Sequence, residues 1–145
     1  MWVVIAAGIA LYVAATGVFG RHLIFHDVVP REPPDPAVLA GLEHRDVEFQ
    51  SHDGLVLRGW IVEPAVPGRA RGTVVLLHGW HRDRERVAGH MRMLAEAGFR
   101  VFAYDQRGHG ASGTGMITFG PREGRDLQCA LDRLGDVLPD DGPDV

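Results

Sequence analysis

The side chains able to attack a substrate are few. Ser51 and Ser112 are the only serines, Cys129 is the only cysteine, and there are eight histidines. A serine nucleophile needs a base within hydrogen-bond reach and a third group to orient that base. Residues 101–115, "VFAYDQRGHGASGTG", place Ser112 in a glycine-rich loop directly behind an apolar run. Such a loop either carries the nucleophile or supports chemistry done elsewhere. Metal binding is the rival chemistry. His78 and His81 are three apart, with Asp83, His90 and His109 near in sequence. His78 ends a strand pattern and His81 lies in a loop, so the two need not face each other. No cysteine pair and no His-Glu-x-x-His occurs, and no metal site is expected. The glycines fit neither Gly-x-Gly-x-x-Gly after a strand nor the lysine-containing phosphate loop, and lysine is absent from the chain. No cofactor is expected. Cys129 has no partner for an internal disulfide and reads as a small apolar residue on a helix. The net charge of -4 offers no electrostatic footprint for nucleic acid.

The elements that must position these residues follow from hydrophobic period and turn chemistry. In "HRDVEFQS" Val47 and Phe49 alternate with Glu48 and Gln50, as in a half-buried strand. Asp53-Gly54 is a strong turn signal, and "LVLRGWIVEP" returns with Leu55, Leu57 and Ile61 on one face. "TVVLLHGW" is apolar from Val74 to Leu77 without alternation, the pattern of a strand buried on both faces of a parallel sheet. Asp83 can cap the next helix, whose stripe is Val87, Met91, Leu94 and Ala95, and Gly98 can end it. "RVFAY" is a second short buried strand. Pro121 suits a first helical position and Glu123 the positive first turn; Leu127, Leu131, Leu134 and Leu138 form the stripe, and Pro139 stops it. Hairpin, strand, helix, strand, helix is an α/β order with a right-handed crossover between parallel strands. Sites in such sheets lie beyond the carboxyl ends of the parallel strands. Two polar loops stand there, "HGWHRD" and "DQRGHGASG".

The N-terminus has a different composition. "MWVVIAAGIALYVAATGVFG" holds no charged side chain before Arg21. Roughly 20 apolar residues span a hydrocarbon core of about 30 Å. A signal peptide would want a basic region ahead of the apolar one, and none exists. Residues 1–20 are expected to be an uncleaved transmembrane anchor. Arg21 and Arg31 follow the span and nothing basic precedes it, which leans the domain to the cytoplasmic face. Residues 21–41 include "DVVPREPPDPAVLAG", whose four prolines favour an extended, semi-rigid linker.

With the elements in order, the motifs resemble those of the α/β-hydrolase fold. The likeness rests on a strand ending in His-Gly, then a helix, then a strand ending in "DQRGHGASG", with "ITFGPREGRDLQCALDRL" behind it and "VEFQSHDGLVLRGWIVEP" ahead. The arrangement, anchor included, is similar to membrane-anchored serine hydrolases of the Bem46-like and serine-aminopeptidase-like branches. It implies that residues 42–145 are the N-terminal part of such a domain, a β-hairpin plus a parallel β-α-β-α unit. It implies a backbone oxyanion donor just after His78-Gly79, which by position is Trp80. It implies that Asp105, Arg107, Gly108, His109, Gly110 and Ser112, like His78 and Gly79, hold structural loops beside the site.

On that pattern Ser112 is not the nucleophile. The family's serine sits in Gly-x-Ser-x-Gly on a sharp strand-to-helix turn. Gly110-Ala111-Ser112-Gly113-Thr114 has threonine two after the serine, and no helix starts directly behind it. Ser51, in the hairpin turn, is no better placed. The next expected element is a strand ending in the nucleophile elbow, and Pro143-Asp144-Val145 looks like its start. The catalytic serine, acid and histidine are then all expected beyond the sequence, since a triad needs the three groups in one geometry. The resemblance implies hydrolysis of an ester, thioester or amide, of a small-molecule acyl substrate, only once that portion is supplied. The alternative is a non-catalytic, degenerate hydrolase fold with a binding role. The membrane is the expected partner, and nucleic acid is not. With the nucleophile strand missing, Thr73 to His78 would form a sheet edge able to pair with another chain.

Overall fold

A computed structural model describes residues 2–24 and 33–138. The expected strand start at Pro143-Asp144-Val145 lies outside the described residues, as do Arg31 and Pro139. Helix α1 spans Trp2–Ile24. Its side chains from Ile5 to Phe19 are exposed. Among the described residues no helix is long and apolar enough to cross a membrane. The side chains concerned run from Ile5 to Arg21, a part of the 23-residue helix. Residues 2–20 of the expected crossing segment lie in this helix, which is not shown as a membrane span.

A four-stranded sheet organises the rest. Strands β1 (His44–Gln50), β2 (Val56–Val62), β3 (Thr73–Leu77) and β4 (Arg100–Tyr104) lie in the order β1-β2-β4-β3. β1 and β2 form the antiparallel hairpin, with Val47 opposite Gly59 and Phe49 opposite Leu57. β2 pairs antiparallel with β4, and β4 parallel with β3, Val75 opposite Phe102. The contact of β2 with β4 depends on Gly59. A Cβ there would lie 2.7 Å from the Ala103 carbonyl oxygen, so only glycine lets the two backbones approach.

Helix α2 (Ala88–Glu96) covers one face and α3 (Pro121–Val137) the other. Beneath α2, Met91 and Ala95 pack with Trp60, Val62, Val101 and Ala103. Beneath α3, Ala130 and Leu134 pack with Phe49, Leu57, Ile61, Phe102 and Tyr104. The two sets alternate along β2 and β4, as the period of two requires of strands covered on both faces. The buried line of α3 runs through Asp126, Ala130 and Leu134, with Leu127 half-buried and Leu131 exposed. The leucine stripe read from the sequence was therefore rotated toward solvent at Leu131. Asp83 caps as expected, accepting from the Glu85 N–H, but the cap opens a 3-10 turn (Arg84–Val87) that runs into α2.

Two expectations about exposure change. β4 is buried at every position, whereas β3 is half-buried at its centre and exposed at Thr73 and Leu77. β3 closes one end of the described sheet, so it lacks a neighbour on one side. The linker read as ending at residue 41 docks earlier. Pro36–Leu39 form a 3-10 turn capped by Asp35, and Leu39 is fully buried against the α2 cluster. Arg92 on α2 donates to the Ala40 carbonyl at 2.9 Å.

Candidate active site

The two loops at the carboxyl ends of β3 and β4 differ in how their polar groups are used. The β4 loop begins at Asp105, which is fully buried. Its carboxylate takes the Arg84 guanidinium, the Arg84 N–H at 2.7 Å and the Ala111 N–H at 2.8 Å. Three donors on one carboxylate close the loop back onto its own start and onto the segment before α2. Gly110 makes that closure possible. It has φ +49, and a methyl group on it would run into the Asp105 carboxylate. Arg84 lies over the Trp60 ring, its carbon centre 4.4 Å from the ring centroid. Burial pulls the Arg84 pKa down and the Asp105 charge opposes that shift.

Arg107 is the hub of a second closure. Its buried guanidinium grips Asp126 through two bonds of 2.6 and 2.7 Å and Asp53 through two of 3.1 and 3.0 Å. These fork contacts tie the loop to α3 and to the hairpin turn at once. Bonds to Asp126 raise the Arg107 pKa above its ordinary value. Those from Arg107, then Ser51, hold the Asp53 carboxyl well below the usual range. His52 Nδ1 stands 3.2 Å from Asp126. His52, Asp53 and Asp126 could together offer ligand atoms to a cation. The Arg107 guanidinium already holds both carboxylates, so the cluster is an ion-pair network.

Ser112 is buried, and its hydroxyl is committed twice. It accepts the Arg58 N–H at 2.9 Å and donates to the Asp105 carbonyl. It stitches β2 to the end of β4, and its one proton is spent on a backbone oxygen. Gly108 N–H donates to the Gly113 carbonyl, closing the same loop. Ser51, the other serine, bonds Asp53 and the Leu55 N–H within the hairpin turn.

The two histidines join the loops to each other. His78 Nε2 accepts the Gln106 N–H at 3.0 Å and its Nδ1 lies 2.9 Å from the Gly79 carbonyl. His109 Nε2 accepts the His81 N–H at 3.2 Å and its Nδ1 lies 2.9 Å from the Arg107 carbonyl. In both rings the backbone donor fixes Nε2 as acceptor and puts the proton on Nδ1. The rings pack with centroids 5.1 Å apart. Both rings act as struts between the two loops.

The β3 loop is open by contrast. The Gly79 carbonyl accepts the Arg82 N–H, turning the chain through Trp80 and His81. His81 holds φ +57, an uncommon value for a residue with a side chain. The Trp80 N–H meets no acceptor among the described residues. Its ring is 43% exposed and lies edge-to-face with Phe119 at 5.2 Å. Beside the two rings opens a cleft of about 270 Å³, lined also by Ile117, Gln106, His109 and Glu123.

Phe119 also has positive φ, +53. Glu123 fixes it there. Its carboxylate accepts the Thr118 N–H, the Thr118 hydroxyl and the Gly120 N–H, each at 2.7 Å. Burial pushes the Glu123 carboxyl up, but these donors outweigh it, and the group sits below its ordinary range.

Sequence reasoning named the loop residues but not Arg84, Asp53, Asp126 or Phe119. Asp126 left one signal, an acid four residues before Ala130 on the buried line of α3. Asp53 was read only as part of the hairpin turn, and Arg84 left no signal because its partner Asp105 is 21 residues away.

The fold and the paired loops have known counterparts. The family model "Serine aminopeptidase, S33" matches residues 68–136. The esterase Pf2001 of Pyrococcus furiosus is similar in structure, with a TM-score of 0.61, 29% identity, and coverage of 76% of this chain and 44% of that one. The α/β hydrolase GrgF from a Penicillium species gives a TM-score of 0.52 at 27% identity over 67% of this chain and 34% of that one. Among curated proteins, the polyketide transferase af380 of Aspergillus fumigatus is 34% identical over 73 residues, 49% of this chain and 24% of its own length. The non-heme chloroperoxidase CPO-A1 of Kitasatospora aureofaciens is 33% identical over 67 residues, 46% and 22% of the two chains. The chain thus spans about a quarter of the length of these curated relatives. It has part of an α/β-hydrolase-like fold and is similar to members of that superfamily.

Proposed function

We propose that these residues form the oxyanion-hole side of a serine hydrolase acting on an ester, thioester or amide. The observation that carries this reading is the contrast at Trp80. Its backbone N–H meets no acceptor among the described residues, at a cleft, whereas the side chains of His78, Asp105, Arg107, His109 and Ser112 in the same two loops are all bonded within the protein. A fixed N–H facing the reacting oxygen is what acyl transfer requires. Ser112 supplies no nucleophile, so the serine, acid and histidine belong to sequence beyond these residues, and the 145-residue chain alone is inactive. Reading the gene onward through codon 145 tests this. Continuation into Gly-x-Ser-x-Gly after an apolar run supports the hydrolase. A stable natural product ending at Val145 favours the second reading, a non-catalytic hydrolase fold that binds a partner.

The apolar composition of residues 2–20 supports a membrane anchor on this reading, with the domain on the cytoplasmic face. Alkaline carbonate should leave the full chain in the membrane pellet; its release would remove the anchor. The open side of β3 supports self-association of the isolated domain. Continuous apolar β3 carries neither proline nor lysine to blunt it. Residues 42–145 should elute above monomer size, and a clean monomer would count against pairing through this edge.

A further inference from the structure

We propose that His109 is the positioning residue of the Trp80 turn: its neutral imidazole latches the His81 N–H, which keeps the Trp80 N–H aimed, and a proton on that imidazole opens the latch. The proposal rests on the oxyanion reading of Trp80 and deepens it by adding what aims the donor and what releases it.

Three observations carry it. First, the peptide groups on either side of Trp80 are held by the two histidines. The Gly79 carbonyl and the Trp80 N–H belong to one peptide group, and in a planar trans peptide they point in opposite directions. His78 Nδ1 lies 2.9 Å from that carbonyl, which also accepts the Arg82 N–H. The following peptide group carries the His81 N–H, which His109 Nε2 accepts at 3.2 Å. The two grips fix the Trp80 backbone from both ends. Second, the grips differ in how they are backed. His78 is tied to Gln106 twice, through its Nε2 and through its own carbonyl at 2.6 Å, so its strand end stays in place if one bond fails. His109 grips the side of the turn where His81 holds φ +57, and a residue with a side chain stays there only where its surroundings impose it. Third, the latch needs a neutral ring. His109 Nδ1 faces the Arg107 carbonyl and Nε2 accepts, and an imidazolium has no acceptor to offer. The ring is 8% exposed, so the released N–H would face a buried cation rather than water. The charges around the ring are otherwise matched. Asp105 is held by Arg84 from the turn ahead of α2, and Arg107 by Asp126 of α3 and Asp53 of the hairpin. Glu123, which lines the same cleft from α3, is held by three donors. His78 stands 5.1 Å away ring to ring, and His81 is the residue gripped. A proton on His109 therefore acts by deleting the Nε2 acceptor.

The test follows the His81 and Trp80 amides of the full chain by site-resolved hydrogen exchange, each against an unstructured amide at the same pH. Histidine is the side chain whose charge ordinarily changes between about pH 5 and 8. At pH 8 the His81 amide should be protected at least tenfold and the Trp80 amide should not. At pH 5.5 the His81 protection should be lost while the β4 amides stay protected, which separates opening of the latch from unfolding. His109→Gln offers a carbonyl oxygen that takes up no proton in this range, so His81 should stay protected at both pH values. His109→Ala should lack the protection at both. A merely structural role for His109 would give neither the pH step nor its removal by glutamine. His81 protection that ignores pH in the native chain, or that survives in His109→Ala, overturns the latch. If His109→Ala does not fold, the native chain compared with His109→Gln across the same pH range still decides. Exchange needs no nucleophile, so the two readings fail separately. A chain with the latch but no hydrolase activity in its gene product loses only the oxyanion reading. A working hydrolase whose His81 amide ignores pH loses only the latch.

Discussion

The loops behind β3 and β4 are alike in composition, both polar, both with glycine and histidine, yet they use their polar groups in opposite ways. The β4 loop is buried, and its side chains are committed: Asp105, Arg107, His109 and Ser112 each bond within the protein, and all four brace other segments. The β3 loop is exposed at Gly79 and Trp80 and leaves the Trp80 N–H unused. A buried polar group costs free energy unless it is paired, so saturation is what lets a loop serve as a frame. A donor meant for a ligand must be held without being satisfied. The serine in the more conspicuous loop is therefore frame, and the bare backbone in the other is where chemistry can act.

Breaking the frame should have the largest effect. Arg107→Ala leaves Asp126, buried on α3, facing His52 without its guanidinium partner, and frees the hairpin turn. Removing one partner of a buried pair costs about 3–5 kcal/mol. Net stability of a domain is about 5–15 kcal/mol. The variant should unfold at a much lower urea midpoint or fail to fold. An unchanged midpoint would mean the network braces nothing.

Acid should loosen the same frame more gradually. Asp53 and Glu123 both have folded pKa values below their ordinary ones. Their contributions are fully present above the unfolded pKa values and are lost as pH falls through the folded ones. Stability should hold from neutral pH to about pH 5 and decline below about pH 4. Asp53→Asn should remove part of that acid limb. If the variant's decline matches the native chain's, the Asp53 contact with Arg107 does not contribute.

The open loop should respond least. Trp80→Ala removes a half-exposed ring over a turn, and stability should change by no more than about 0.5 kcal/mol. A drop comparable to Arg107→Ala would make the β3 loop a frame as well and erase the contrast.

Much of the frame was legible in the sequence because its signals are local. Alternation gave the hairpin, unbroken apolar runs gave both parallel strands, and Pro121 with Glu123 gave the start of α3. The motif order placed the two loops at one end of the sheet. What escaped was non-local. Arg107 meets its acids 19 and 54 residues away, and Asp105 meets Arg84 from 21 residues away. No spacing rule pairs them. The α3 stripe was misjudged at Leu131 because leucines outvoted Asp126 and Ala130, which tertiary contact buries. Phe119 was silent because its importance lies in a backbone angle that Glu123 imposes after folding.

The account turns on Ser112, and covalent labelling tests it most directly. A fluorophosphonate reacts with an activated serine and with little else. Full-length chain, with and without Ser112→Ala, should take no label above background, because the Ser112 hydroxyl already donates to the Asp105 carbonyl. Stoichiometric labelling that disappears in Ser112→Ala would contradict the account and make the buried loop the site of chemistry.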